Sequence, residues 1–202
     1  MMKNTRLRSQ RAVQGQSLIE LALLLPPMLI LVFGVIDYAR AIQFNNILVA
    51  MSREGANLAA RTSMSHQVII KALNDTAEPL LMAARGRVYI TQIIGRKVDS
   101  DCDDAPPTYC ATYPKVEAQT KSLTGNATLD LTLDANLPSK VWTCSSWSGG
   151  ACNSVPASAT DTFTMALSDG EVVYAVETLY DYNVIVNYVM ETGPKLYSLT
   201  VL

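Results

Sequence analysis

The hydrophobic pattern of the chain divides it into an unbroken apolar stretch, a helical stretch with a 3.6-residue period, and a long region with a two-residue period. From Leu21 to Ile36 no charged residue occurs, and Leu18 and Ile19 extend the apolar run past Glu20. A transmembrane segment over about 18–36 follows, because a run of this length spans most of a hydrocarbon core. Beyond Asp37, Tyr38, Ala41, Ile42, Leu48, Val49, Ala56, Ala59 and Ala60 recur at three-and-four spacing, while Gln43, Asn46, Arg53, Asn57 and Arg61 fall on another face. The two patterns join without a break into one helix over about 16–62, roughly 70 Å long. A second helix is predicted over 65–85, ending near Gly86.

The period then changes to two. Val88, Ile90 and Ile94 alternate with Tyr89, Thr91 and Ile93, and 171–189 reads as one long strand or two, after an Asp169-Gly170 turn. Within 128–134 ("TLDLTLD") Leu129, Leu131 and Leu133 alternate with Thr or Asp, which predicts a half-buried strand. The segments 99–113 and 143–161 read as loops. The fold class is α+β, with a β-rich domain over 86–202 and an antiparallel sheet.

Charge sets the orientation. Residues 1–15 carry Lys3, Arg6, Arg8 and Arg11 and no acid, so this flank stays in the cytoplasm and the remainder is sent outward. That remainder holds 12 basic residues against 18 acidic, about -6. An acidic body cannot neutralise phosphates, which excludes a nucleic-acid partner. Cys102 and Cys110 are eight apart, as are Cys144 and Cys152, too far for the ligand pairs of common zinc sites. Disulfides in an oxidising compartment fit better. Three connectivities exist, and Cys102–Cys110 with Cys144–Cys152 closes the shortest loops.

Other chemistry is sparse. His66, the one histidine, has no nucleophile motif beside it, and no phosphate loop, HExxH or GxSxG occurs, so no catalytic residue, cofactor or enzyme activity is expected. Asp99, Asp101 and Asp103 alternate like calcium-loop ligands. However, Asp104 stands where that loop needs glycine and Cys110 where it needs glutamate, which leaves a weak calcium candidate and a solvated acidic loop as the default. Ala39-Arg40-Ala41 formally matches a signal-peptidase site, but charges crowd the cut and cleavage would discard a continuing helix.

The stretch from Gly15 to Glu20 resembles the processing site of type IV pilins and pseudopilins. Residues 16–61 more narrowly resemble TadE-like minor pilins of the Tad (tight adherence) system, through Glu20, a proline in the apolar run, Gly34, Asp37 with Arg40, and "SREGANLAAR" (52–61). Leu21 replaces the aromatic residue usual after the glutamate, and Pro26 is doubled by Pro27. The resemblance implies a leader (1–15) cut between Gly15 and Gln16 by a prepilin peptidase, and Glu20 as the fifth residue of the trimmed chain. That carboxylate would pair with a neighbour's ammonium, and Pro26 and Pro27 would kink the helix. The implied partners are other Tad pilins, assembly platform proteins and inner-membrane lipid. The implied location is the bacterial inner membrane, with the C-terminal domain in the periplasm, and from there an extracellular pilus used in adhesion. On the pilin reading the sheet domain, with Trp142 and Trp147 near the second cysteine loop, is a contact for other pilus subunits or an adhesion target. The alternative is an uncleaved membrane-anchored periplasmic module that binds a ligand through its sheet.

Overall fold

The computed structural model describes residues 5–98, 110–155, 165–184 and 193–202, with side chains in the first helix from residue 18 onward. The chain divides into two compact units, Met1–Ile42 with Asn183–Gly193, and Gln43–Tyr182 with Pro194–Leu202. Helix α1 (Thr5–Arg61) contributes to both and ends where the periodic pattern ends.

In the first unit, every described side chain of α1 from Leu18 to Ile36 is exposed, and Asp37 is the first buried one. The exposed run holds 19 residues, about 28 Å of helix against a hydrocarbon core near 30 Å. This is the one helix, among the described residues, long and apolar enough to cross a membrane.

The second unit is built on a six-stranded antiparallel sheet in the order β3-β4-β2-β1-β5-β6. Its strands are β1 (Gly86–Lys97), β2 (Thr112–Lys121), β3 (Trp147–Ser148), β4 (Ala151–Cys152), β5 (Val172–Asp181) and β6 (Lys195–Val201). Helices cover both faces, so β1 is buried along nearly its whole length instead of alternating. On one face lies the second half of α1. Its Phe44, Leu48, Met51, Ser52, Gly55, Ala56 and Ala59 are buried, whereas Val49 is half-buried and Ala60 exposed, so within this unit the packed stripe is rotated from the expected one. Phe44 meets the rings of Tyr180 and Tyr182 edge-on at 5.7 and 5.5 Å. Ser52 Oγ lies 2.9 Å from the hydroxyls of both Ser198 and Thr200 on β6.

The small residues of α1 therefore admit the protein's own sheet. A β-carbon on Gly55 would stand 2.8 Å from Leu73 Cδ1 and 3.0 Å from Val176 Cγ1, so only glycine lets α1 approach β5 this closely. Leu73 belongs to α2 (His66–Asp75), which buries Ile69, Ile70 and Leu73.

Three expectations need correction. The predicted helix over 65–85 is two helices, α2 and α3 (Met82–Arg85), because Pro79, after a cis bond, has no N–H for the carbonyl of Asp75. The predicted strand at 128–134 is helix α4 (Ala127–Asn136). Leu129, Leu133 and Leu137 fit a helical period as well as an alternating one, and Leu131, which the strand would bury, is 72% exposed. Asn126 decides the outcome by capping: its Oδ1 accepts from Leu129 N at 3.1 Å. The 143–161 segment, read as loop, contains the hairpin β3–β4 turning at Gly149 and Gly150, both with positive φ.

Candidate functional site

Two sets of residues carry chemistry, one in each unit. The first lies on α1. Glu20 is exposed near the start of the apolar run; Asp37, 9% exposed, and Arg40, exposed, follow its end. Pro26 and Pro27 lie inside the helix, which continues through them. Neither has an N–H, so the carbonyls of Ala22 and Leu23 lose their usual donors one turn later. Gly15 and Gln16 are helical, on the same element as Glu20. Gly34 faces open space, with nothing within 4 Å of a β-carbon placed there.

The second set lies between α4 and the sheet, and none of its charged members was anticipated. Arg87 on β1 is completely buried. Its Nη2 donates to Asp130 Oδ1 at 2.8 Å, its Nε to Asp134 Oδ1 at 3.2 Å and its Nη1 to Ser122 O at 3.0 Å. Lys121, also buried, pairs with Asp134 and lies 4.7 Å from the centre of the Trp147 ring. Two cations thus meet two carboxylates one helical turn apart, and a helix puts both carboxylates beside the leucine stripe. Burial alone would raise the Asp130 carboxyl, but the Arg87 guanidinium and hydrogen bonds from Thr124 outweigh it and hold it below the ordinary carboxylate range.

A further acid, Glu177 on β5, is fully buried. Its oxygens accept from Lys140 N at 2.7 Å, Val141 N at 3.2 Å, Tyr197 OH at 3.1 Å and the Ser139 hydroxyl. Tyr89 donates to Leu137 O at 2.9 Å. Burial first, and the nearby Asp134 charge second, push its phenol far above the ordinary value. Burial and Glu177 do the same to Tyr197. These groups tie α4 and the loop after it to the sheet. Tyr89, Asp134 and Ser139 also line, with Trp147, a cavity of about 50 Å³, and the bonds the set makes are those of a fastening.

Cys144 and Cys152 form a disulfide across the hairpin, with Cα atoms 5.9 Å apart. Cys110 is disulfide-bonded as well, while Cys102 lies outside the described residues. Asp99, Asp101 and Asp103 are likewise outside them; among the described residues no group of three or more His, Cys, Asp or Glu is placed to hold a metal. His66 opens α2, with Nδ1 3.3 Å from Thr120 Oγ1 and its ring edge-on to Tyr174 at 5.7 Å. Burial lowers its pKa. Trp142 and Trp147 are both half-buried.

A family model described as TadE-like protein matches residues 15–57. This segment is TadE-like. The match begins at Gly15, takes in Glu20, both prolines, Asp37 and Arg40, and ends four residues before α1 does. No curated protein and no solved structure matches the chain. The TadE-like segment suggests a Tad pilus-associated protein, and its apolar helix suggests a single-pass membrane anchor. The signals for this set were legible in the sequence, since they are local. Arg87 reaches partners 35 to 47 positions away, and no local pattern marks them.

Proposed function

We propose that the chain is a minor pilin of a Tad-type system. It waits in the inner membrane with its sheet domain in the periplasm, is trimmed after Gly15 by a prepilin peptidase, and enters or primes a pilus through helix packing. On this reading it is the substrate of an enzyme and not itself an enzyme. Its partners are other Tad pilins, the assembly platform and lipid, and the finished pilus serves adhesion.

The observation that carries the reading is the position of Glu20 in the exposed apolar stretch of α1, five residues after Gly15, within the TadE-like match. A carboxylate at membrane depth costs about 2.5–3.5 kcal/mol even on lenient scales. An ammonium released at Gln16 offsets that cost, and so does the positive end of the helix dipole. In an assembled filament the ammonium of a neighbour takes the same role, which rewards correct register. The folded domain satisfies its buried charges, Arg87, Lys121 and Glu177, within itself, whereas the apolar helix of the first unit lies exposed.

The test is incorporation. Epitope-tagged chains carrying Glu20→Gln are expected to reach the inner membrane in normal amount but to be depleted from sheared pili, or to lower the number of pili. Normal incorporation with normal piliation overturns the reading.

A further inference from the structure

The two edges of the sheet are unlike. At one end stands the hairpin β3–β4, whose strands are two residues each and which meets β2 where Thr120 pairs with Ala151. The same side of β2 carries Pro114. Short strands and proline are devices that keep a sheet edge from taking up another chain. At the other end stands β6, seven residues paired with β5 in unbroken register. It has no proline and no bulge, and its one charge is Lys195 at the first position.

The ladder shows which backbone groups of β6 face away from β5. Just beyond the strand, Leu202 and Tyr174 exchange both N–H···O bonds, at 3.1 and 2.7 Å, and at the far end Tyr182 N donates to Pro194 O at 3.3 Å. Such exchange recurs at every second residue of an antiparallel pair, so Leu196, Ser198 and Thr200 bond to β5. Lys195, Tyr197, Leu199 and Val201 therefore turn N–H and C=O outward, a row about 20 Å long. Among the described residues nothing bonds to these groups.

The side chains of the same four residues lie on the face covered by α4. Tyr197 and Val201 pack against the clusters there, while Leu199 is 40% exposed. Two cations stand at the Lys195 end. Lys140 Nζ is 4.0 Å from the centre of the Tyr197 ring, and Lys195 Nζ donates to Asn136 O at 2.6 Å. Both lysines are exposed and neither has an ion pair among the described residues; Asp181, opposite Lys195 on β5, makes none with it. The edge therefore suits an extended chain with carboxylates toward Lys195 and an apolar side chain toward Leu199.

We infer that β6 accepts an extended segment of a different protein as a seventh, antiparallel strand, with apolar side chains against Leu199 and Val201 and carboxylates against Lys140 and Lys195. Main-chain bonds supply the affinity and the alternate side chains the specificity. A second copy of β6 does not fit this demand: paired with itself, the strand sets Lys195 against Val201 and brings no carboxylate for either lysine. The inference needs the folded second unit and not the trimming after Gly15.

The test uses the full detergent-solubilised chain and two synthetic peptides, VTVTETE and VTVTKTK, with amide hydrogen exchange read residue by residue by NMR. In the free chain the amides of Tyr197, Leu199 and Val201 are expected to exchange fast and those of Leu196, Ser198 and Thr200 slowly. The glutamate peptide is expected to slow the first set and to bind about tenfold more tightly than the lysine peptide, the size of two exposed ion pairs set against two repulsions. Leu199→Pro removes one outward N–H and spares the ladder to β5, so it is expected to melt like wild type and to lose the protection. Lys140→Glu with Lys195→Glu is expected to reverse the preference between peptides, a readout independent of the proline variant. Slow exchange of the outward amides in the free chain, no protection by either peptide, equal binding of both, full protection in Leu199→Pro, or protection that rises with protein concentration alone overturns the inference. Each of these leaves the proposed function standing, and an untrimmed wild-type chain leaves this inference standing.

Discussion

Arg87 Nη2 stands 2.8 Å from Asp130 Oδ1, joining a completely buried strand residue to a helix that begins only three positions before its partner. The guanidinium is the hub that fixes α4 to the sheet. Arg87→Met keeps the apolar length but leaves Asp130 and Asp134 facing the sheet with Lys121 alone to answer them. Removing one member of a buried charge set costs about 3–5 kcal/mol, read as a lower denaturant midpoint in detergent-solubilised protein. Asp130→Asn, which retains an acceptor for Arg87 and removes only one charge, should cost less.

Close approach of α1 to the sheet predicts a contrast between two glycines. At Gly55 a methyl group would press on Leu73 and Val176, so Gly55→Ala is expected to destabilise by about 1–3 kcal/mol despite alanine's better helix propensity. At Gly34 nothing lies within 4 Å, and Gly34→Ala should be neutral or stabilising. Thermal melts followed by circular dichroism separate the two. Equal effects would mean that α1 does not lie against β5 as described.

The hairpin β3–β4 meets β2 through a single paired position, Thr120 with Ala151. Its order depends on the Cys144–Cys152 crosslink, which closes a nine-residue loop worth about 2.5 kcal/mol on the chain-entropy view. The double variant Cys144→Ala, Cys152→Ala should raise quencher access to tryptophan fluorescence, because Trp147 would leave its place over Lys121.

Among the described residues, His66 and Asp130 have lowered pKa values in the folded protein, and both give stability that falls with acid. His66 is held below its unfolded value of 6.5 by burial, so its neutral form is favoured in the fold. The unfolded chain then binds more protons below pH 6.5, and stability is lost as pH falls from there through the folded value. His66→Gln should flatten this upper step. Asp130 contributes stability above its unfolded value of 3.8 that is lost as pH falls through the lower folded one, and Asp130→Asn should remove that second step. Denaturation midpoints across pH 3–8 for wild type and both variants test each assignment.

What the sequence revealed depended on how local each signal was. The end of α1 at Arg61, the strand character of 86–97 and the apolar span all follow from short-range periodicity. Strand β2 escaped because Pro114 and a largely polar run argue against a strand. It is tolerated because β4 covers β2 only at Thr120, leaving Pro114 on an open edge. Residues 128–134 misled because leucines four apart satisfy both periods, and only the Asn126 cap separates them. Arg87 and Glu177 gave no warning, since a charge inside a strand reads as a solvent-facing position until the helix that covers it is known.

On the proposed function, the chain is cut after Gly15 to expose an amine for Glu20. N-terminal sequencing of the wild-type protein from membranes, with and without the prepilin peptidase, tests it most directly. The expected result is a first residue of Gln16 in the presence of the peptidase and a retained leader in its absence. A chain that begins at Met1 in both would contradict it.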